Sequence, residues 1–168
     1  MPRIRYCSTP AGRVAYSVSG TGPPLLFDSG WITDLRGQLE LYSFGPFIEH
    51  LAERFTVIRY DKPGCGLSDR NDIDLSFDGQ VAAALAVADA VGAGRFCLFG
   101  ASQGGQLAVA IAARYPDRAE ALRNADGTGS PRSRSGPGSS PRACAGCSPR
   151  ALRRSAARRT GGWRWPGW

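Results

Sequence analysis

Three short apolar runs, at positions 25–27, 55–60 and 95–99, constrain the fold of this chain more than any other feature. They are mostly continuous, without the alternation of apolar and polar residues that marks a half-exposed strand. Strands of this kind are buried on both faces, as in parallel sheets covered by helices. Two alternating segments, 3–7 and 13–18, precede them and predict an antiparallel hairpin, because turn residues separate the two.

Segments with helical spacing separate the apolar runs. The first predicted helix begins near Pro46, a residue that suits a first helical position. The second is capped by Ser76 and stopped by Gly92, and the third runs over 103–115 and ends before Pro116. Alternation of strands and helices predicts an α/β fold, in which crossover helices connect the strands of a parallel sheet.

The residues after the third apolar run form the pattern G-x-S-x-G, as Gly100, Ala101, Ser102, Gln103 and Gly104. The pattern follows a predicted strand and precedes a predicted helix, which is the context that a nucleophile on a sharp turn requires. The start of the helix offers free N–H groups and a positive dipole end to developing negative charge. The alternative is a glycine-rich connection with an incidental serine, but the context favours Ser102 as a catalytic nucleophile.

With these features, residues 3–122 resemble the N-terminal half of the α/β-hydrolase fold family. The segment LLFDSGW, at 25–31, is similar to the strand and loop that supply an oxyanion donor in that family. The resemblance implies that the oxyanion hole is formed by the backbone N–H groups of Trp31 and Gln103. The family usually has histidine where this chain has Ser29.

Two further segments carry the resemblance. Residues 59–68 are similar to the family's D-x-R-G-x-G-x-S turn, although Pro63 stands where arginine is usual. The matching positions are Asp61, Gly64, Gly66 and Ser68. We interpret this segment as a structural turn rather than a site of chemistry. The sequence YPDR at 115–118 is similar to the family's usual exit from the helix after the nucleophile.

The catalytic partners of a serine nucleophile are missing from the expected part of the chain. In the family the acid and the histidine follow the serine, whereas the only histidine here, His50, precedes Ser102. His50 falls one position off the apolar face of the first predicted helix, so we interpret it as a surface residue. A serine hydroxyl is a weak nucleophile without a neighbouring base. The sequence therefore predicts that this chain by itself is inactive.

The character of the sequence changes after Leu122. Residues 1–122 contain 11 basic and 13 acidic residues, whereas 123–168 contain 10 arginines, one acid and no valine, isoleucine or phenylalanine. Such a segment cannot bury enough apolar surface to offset its ordering entropy. We therefore predict a truncated α/β-hydrolase domain over 1–122 and a disordered tail over 123–168. Residues 119–122 are typical of a strand that does not develop, which would leave the strand at 96–99 as an exposed apolar edge.

The composition of the tail suggests its origin. A single lysine, Lys62, indicates a GC-rich coding sequence, and the tail is rich in the residues that such DNA encodes when it is read out of frame. We interpret the tail as a frame-slip product. The alternative is a genuine basic tail whose arginine pairs at 153–154 and 158–159 bind nucleic acid phosphates. We favour a solvated charge run, since no RNA-binding fold accompanies it.

The remaining features indicate a cytoplasmic protein. Residues 1–10 have no apolar run typical of a signal peptide, and no segment approaches the roughly 18 apolar residues that span a membrane. The hydrolase resemblance implies no metal or organic cofactor. The C-x-x-C of Cys144 and Cys147 lacks the further ligands of a structural zinc. The sequence predicts no membrane partner and does not indicate an oligomeric state.

Three functions remain open at this stage. The first is a serine hydrolase in which Ser102 attacks a small molecule with a carbonyl or related electrophile. The second is a non-catalytic α/β-hydrolase-like protein that binds a small molecule without a triad. The third is nucleic-acid binding through the basic tail.

Overall fold

The computed structural model of the chain describes residues 3–10, 12–41 and 43–124. This part contains six strands and four helices. They are β1 (Ile4–Thr9), β2 (Gly12–Ser19), β3 (Pro24–Asp28), α1 (Gly37–Glu40), α2 (Phe44–Ala52), β4 (Thr56–Tyr60), α3 (Phe77–Ala90), β5 (Phe96–Gly100), α4 (Gln103–Arg114) and β6 (Ala119–Asn124).

The strands form one sheet in the order β1-β2-β4-β3-β5-β6. The strands β1 and β2 form the predicted antiparallel hairpin, and β2 pairs antiparallel with β4. The strands β4, β3, β5 and β6 run parallel to one another. The predicted α/β fold, with a hairpin followed by parallel strands, is therefore confirmed.

Helices cover both faces of the sheet. Since successive residues of a strand point to opposite sides, each central strand contributes side chains to both cores. Leu26 of β3 and Leu98 of β5 belong to the core under α3 and α4. Leu25 and Phe27 of β3 belong to a second core under α2. This two-sided burial accounts for the continuous apolar runs in the sequence.

The helix ends agree closely with the sequence pattern. The Ser76 hydroxyl accepts a hydrogen bond from the Gly79 N–H at 3.0 Å, which confirms the predicted cap of α3. Gly92 follows that helix with φ +76°, and Pro46 lies within the first turn of α2. The short helix α1 was not predicted, because four residues are too few to produce a periodic pattern.

The prediction that the third apolar strand lies at an exposed edge is wrong. The strand β6 pairs with β5 along its length, and Phe96 and Leu98 are 0% and 2% exposed. Strand pairing needs main-chain groups rather than a long apolar run, and the apolar residues Ala119 and Leu122 suffice to pack β6 against the core. Its charged Glu120 forms an exposed ion pair with Arg95, N···O 3.7 Å.

The tail was predicted to begin at residue 123, but Arg123 and Asn124 continue β6 and pair with Phe99 and Gly100 of β5. The other predictions for the tail concern residues 125–168, which lie outside the described part of the chain. They include its disorder, its origin in a frame slip, nucleic-acid binding and the pair Cys144 and Cys147. Across the described ranges, no helix is both long and apolar enough to cross a membrane.

Candidate active site

The order of the strands reverses next to β3, so the carboxyl ends of β3 and β5 lie side by side. The chain runs from β3 to β4 on one side of β3 and later adds β5 on its other side. Asp28, the last residue of β3, stands opposite Gly100, the last residue of β5, so the loops that follow them emerge side by side. Ligands of open α/β sheets bind at such a reversal of strand order.

Ser102 occupies a sharp turn between β5 and α4. Its backbone has φ +53° and ψ −126°, a left-handed conformation that costs a residue with a Cβ about 1–3 kcal/mol. The side chain is exposed, and among the described residues it makes no cap hydrogen bond to α4. The turn is closed by the Gly104 N–H, which donates to the Ala101 carbonyl at 2.9 Å. The strained turn that the sequence predicts at the G-x-S-x-G segment is therefore present.

The glycines of the segment allow β3, β5 and α4 to meet closely. A Cβ atom added to Gly104 would lie 2.5 Å from the Asp28 carbonyl oxygen and 2.6 Å from its Oδ1 atom. A Cβ added to Gly100 would overlap the Gly104 carbonyl. The Ala101 N–H donates to the Asp28 carbonyl at 2.9 Å and fixes this approach.

The structure brings the predicted oxyanion residues to the Ser102 turn. Gln103 is the first residue of α4, where N–H groups lack partners within the helix. Trp31 lies in the loop after β3, with its side chain 72% exposed. A Cβ added to the neighbouring Gly30 would lie 3.5 Å from the Ser102 Cβ, so this loop lies against the turn. Among the loop and turn hydrogen bonds of the described ranges, no backbone carbonyl accepts the Trp31 or the Gln103 N–H.

Ser29, which stands where the family usually has a histidine, is connected through Gln38 to a buried arginine. The Ser29 hydroxyl accepts a hydrogen bond from Gln38 Nε2 at 2.8 Å, and Gln38 Oε1 accepts one from Arg59 Nη2 at 3.2 Å. The Arg59 guanidinium is 5.2 Å from the centre of the Phe44 ring. Burial lowers the pKa of Arg59. Gln38 lies in the unpredicted helix α1, so sequence analysis missed this support.

A buried polar cluster lies behind the Ser102 turn and was also missed. The Asp28 carboxylate accepts hydrogen bonds from the Tyr60 hydroxyl at 2.8 Å and from the Gly30 N–H at 3.0 Å. Lys62 Nζ is 3.2 Å from Asp28 Oδ1 and 3.3 Å from Gln103 Oε1. Burial, with the Asp28 charge and hydrogen bond, raises the pKa of Tyr60 well above its ordinary value. The available signal was an acid that ends an apolar strand, since buried acids are rare unless paired.

The turn after β4 holds the loop after β3 through Asp61. This carboxylate is fully buried and accepts hydrogen bonds from the Leu35 and Leu67 N–H groups, both at 2.8 Å. The Ser68 hydroxyl donates to the Asp61 carbonyl at 2.6 Å. These contacts support the interpretation of residues 59–68 as a structural turn.

Asp61 predicts an unusual pH dependence of stability. Burial raises its pKa above the ordinary value of 3.8, although the hydrogen bonds from Leu67 and Leu35 act in the opposite direction. The folded chain therefore binds a proton at Asp61 more readily than the unfolded chain, so the contribution of Asp61 grows as the pH falls through the folded pKa and levels off below the unfolded pKa.

The comparison of the parent with Asp61→Asn isolates this contribution, because other titrations cancel in the difference. The free energy of unfolding of the parent, relative to that of the variant, should increase as the pH is lowered from 7 to 3. Urea unfolding at a series of pH values measures it. A difference that decreases over this range would contradict the expectation.

His50 lies on the surface, as predicted. Its side chain is 45% exposed, and Nδ1 is 3.2 Å from Oε2 of Glu53, the residue that follows α2. No imidazole therefore accompanies Ser102 within the described residues. In the same part of the chain, no group of three His, Cys, Asp or Glu side chains could hold a metal ion.

Comparison with known proteins places this geometry in a family. A family model described as alpha/beta hydrolase fold matches residues 23–133. The chain is 32% identical, over 108 residues, to 2-(acetamidomethylene)succinate hydrolase of Mesorhizobium japonicum, a match that covers 63% of this chain and 37% of that protein.

Solved structures agree with this match. A membrane phospholipase A, described as a bacterial virulence factor, superposes with TM-score 0.63 and 28% identity over 73% of this chain and 39% of its own. An E-2-(acetamidomethylene)succinate hydrolase superposes with TM-score 0.61 and 26% identity, over 73% of this chain and 43% of its own. The chain thus spans less than half the length of these proteins. The family model matches more than half of the residues, and the solved structures agree with it. The chain therefore belongs to the α/β-hydrolase fold family.

Proposed function

We propose that this chain carries the nucleophile and the oxyanion hole of a serine hydrolase, with Ser102 as the nucleophile. The observation that carries the proposal is the strained backbone of an exposed serine at the turn between β5 and α4, φ +53°. Strain of this kind persists only where surrounding structure enforces it, and it clusters at functional sites. The position of the turn at the strand-order reversal supports the same conclusion.

The proposed reaction is acyl transfer. Ser102 Oγ attacks a carbonyl carbon and loses its proton to solvent water, while the carbonyl electrons move onto oxygen. The backbone N–H groups of Trp31 and Gln103 stabilise the resulting oxyanion. The tetrahedral intermediate collapses and expels the protonated leaving group, and water then hydrolyses the acyl-enzyme. The proposed substrate is a small molecule with a carbonyl electrophile, consistent with the relative named for hydrolysis of 2-(acetamidomethylene)succinate.

We propose further that the chain by itself turns over slowly, because the residues that the structure describes offer Ser102 no general base. His50 pairs with Glu53 on the surface. The Lys62 ammonium is already engaged with two acceptors, the Asp28 carboxylate and Gln103 Oε1. Oxyanion donors and binding alone leave about 10³–10⁴-fold catalysis over water.

A fluorophosphonate probe, used at high concentration and with long incubation, tests the nucleophile directly. Its phosphoryl oxygen can occupy the oxyanion hole, so the slow reaction with Ser102 is accelerated even without a general base. We expect a single label on the peptide that contains Ser102, and its complete loss in Ser102→Ala. The matched control is Ser43→Ala, because Ser43 is another exposed serine at a helix start but has an ordinary φ of −101°. The control should label like the parent. A folded parent without label at Ser102, shown by mass spectrometry, would contradict the proposal.

A non-catalytic binding protein is the second candidate, favoured by the surface position of His50. It predicts a folded parent that binds a small ester saturably but remains unlabelled. Equilibrium dialysis of a radiolabelled ester, with the parent and with Ser102→Ala, separates the two functions. Equal affinity in both proteins, without label in the parent, would support binding alone.

A further inference from the structure

We infer that Lys62 is a positioning residue that ties together the two chain segments that carry the oxyanion donors. The inference rests on the proposed function, because it assumes that the N–H groups of Trp31 and Gln103 stabilise an oxyanion. One donor lies in the loop after β3 and the other at the start of α4. These segments are separate in sequence, so their relative position depends on tertiary contacts.

Lys62 contacts both segments from a buried position. Its side chain is 4% exposed. On one side its ammonium pairs with Asp28 Oδ1, and the same oxygen accepts the Gly30 N–H, which immediately precedes Trp31. On the other side the ammonium donates to the side chain of Gln103 at 3.3 Å. A single charge therefore connects the residue before one donor with the residue that bears the other.

The backbone of Lys62 is itself fixed to the loop after β3. Its N–H donates to the Thr33 hydroxyl at 2.7 Å, and Thr33 is 1% exposed. The Tyr60 hydroxyl donates to the second oxygen of Asp28 at 2.8 Å, so the carboxylate cannot rotate away from the ammonium. The contact between Lys62 and Gln103 is consequently held from both ends. This rigidity suits a group that sets a donor position, because oxyanion donors act only when they are preorganised.

A cysteine nucleophile allows the inference to be tested without the missing base. In Ser102→Cys, acylation by p-nitrophenyl acetate passes through a tetrahedral oxyanion. Thiol exchange with methyl methanethiosulfonate does not, because the thiolate attacks sulfur, forms a mixed methyl disulfide and releases methanesulfinate. Both reactions consume the same thiolate, so a change in the thiolate fraction cancels in the ratio of their rate constants. Mass spectrometry of the peptide that contains residue 102 excludes the other cysteines of the chain from the measurement.

We expect Lys62→Met in this background to lower the ratio of acylation to exchange at least about tenfold. Removal of a whole oxyanion donor costs about 10²–10³-fold, and a loosened donor should cost less. The matched control is Arg95→Met, which removes one positive charge from an exposed ion pair and should leave the ratio within about twofold.

Lys62→Met leaves Asp28 buried without its cation, so it could lower the ratio through a folding defect. A second variant distinguishes that defect from a loss of positioning. Gln103→Met keeps the ion pair and the Gln103 N–H but removes the contact between the two side chains. It should lower the ratio about threefold or more, and Lys62→Met with Gln103→Met should lower it no further than Lys62→Met alone, as expected for coupled residues.

The outcomes distinguish the inference from the proposed function. If Ser102→Cys is acylated no faster, relative to exchange, than free cysteine, the proposed function fails and the inference fails with it. If acylation is accelerated but both rate constants fall equally in the Lys62 and Gln103 variants, their role is structural and only the inference is overturned. An unchanged ratio in those variants overturns it as well.

Discussion

Gly104→Ala is expected to destabilise the fold by about 3 kcal/mol and to abolish labelling of Ser102. Alanine within a helix is normally about 1 kcal/mol more favourable than glycine. Here the added Cβ would lie 2.5 Å from the Asp28 carbonyl oxygen, and overpacking of this kind costs about 1–3 kcal/mol, occasionally more. The carbonyl cannot move aside, because it accepts the Ala101 N–H at 2.9 Å.

The loss of labelling follows from the same contact. Relief of the overlap requires the start of α4 to move away from β3, which separates Gln103 from the loop that carries Trp31. A displacement of about 1 Å near reacting groups can cost about 10²-fold in rate. Urea unfolding and fluorophosphonate labelling measure the two effects.

Gly94→Ala is the matched control for this prediction. A Cβ at Gly94 would meet no atom within 4 Å, so the variant should remain within about 0.5 kcal/mol of the parent and label fully. If Gly104→Ala is as stable as Gly94→Ala, the close approach of α4 to β3 is not as described.

Phe27→Ala should destabilise the fold by about 3–5 kcal/mol, the usual cost of removing a buried aromatic side chain. Phe27 is 3% exposed. Its ring stacks on Phe99 at 5.0 Å between centroids and meets Phe44 edge-on at 5.7 Å. The cavity would open between β3, β5 and α2, next to Asp28. Since small domains are stable by only about 5–15 kcal/mol, this loss is a large part of the total.

Phe77→Ala provides the comparison, because Phe77 is 38% exposed at the start of α3. Its ring makes a cation–π contact with the Arg114 guanidinium, which lies 5.9 Å from the ring centre. We expect a loss of about 1 kcal/mol or less for this variant. If the two variants lose the same free energy of unfolding in urea, the ring contacts of Phe27 with Phe44 and Phe99 do not stabilise the sheet.

Much of the fold could be predicted from local pattern. Continuous apolar runs identify strands buried on both faces, and the cap at Ser76 and the exit at Pro116 set helix ends through local sterics and hydrogen bonds. The edge of the sheet was predicted wrongly, because β6 is formed by main-chain pairing with β5 and needs few apolar side chains. The short helix α1 was missed for a similar reason, since one turn has no periodicity to detect.

In the candidate site too, one part follows from the local sequence and another part only from the tertiary structure. The sequence by itself determined the strained turn at Ser102, because a G-x-S-x-G segment between strand and helix leaves the backbone few alternatives. Only the tertiary structure decided how the turn is surrounded. Asp28, Lys62 and Gln103 come from three different segments, and their contacts depend on which strand ends lie side by side. A buried charge is stable only beside its partner, and strand order, rather than any local pattern, brings these partners together.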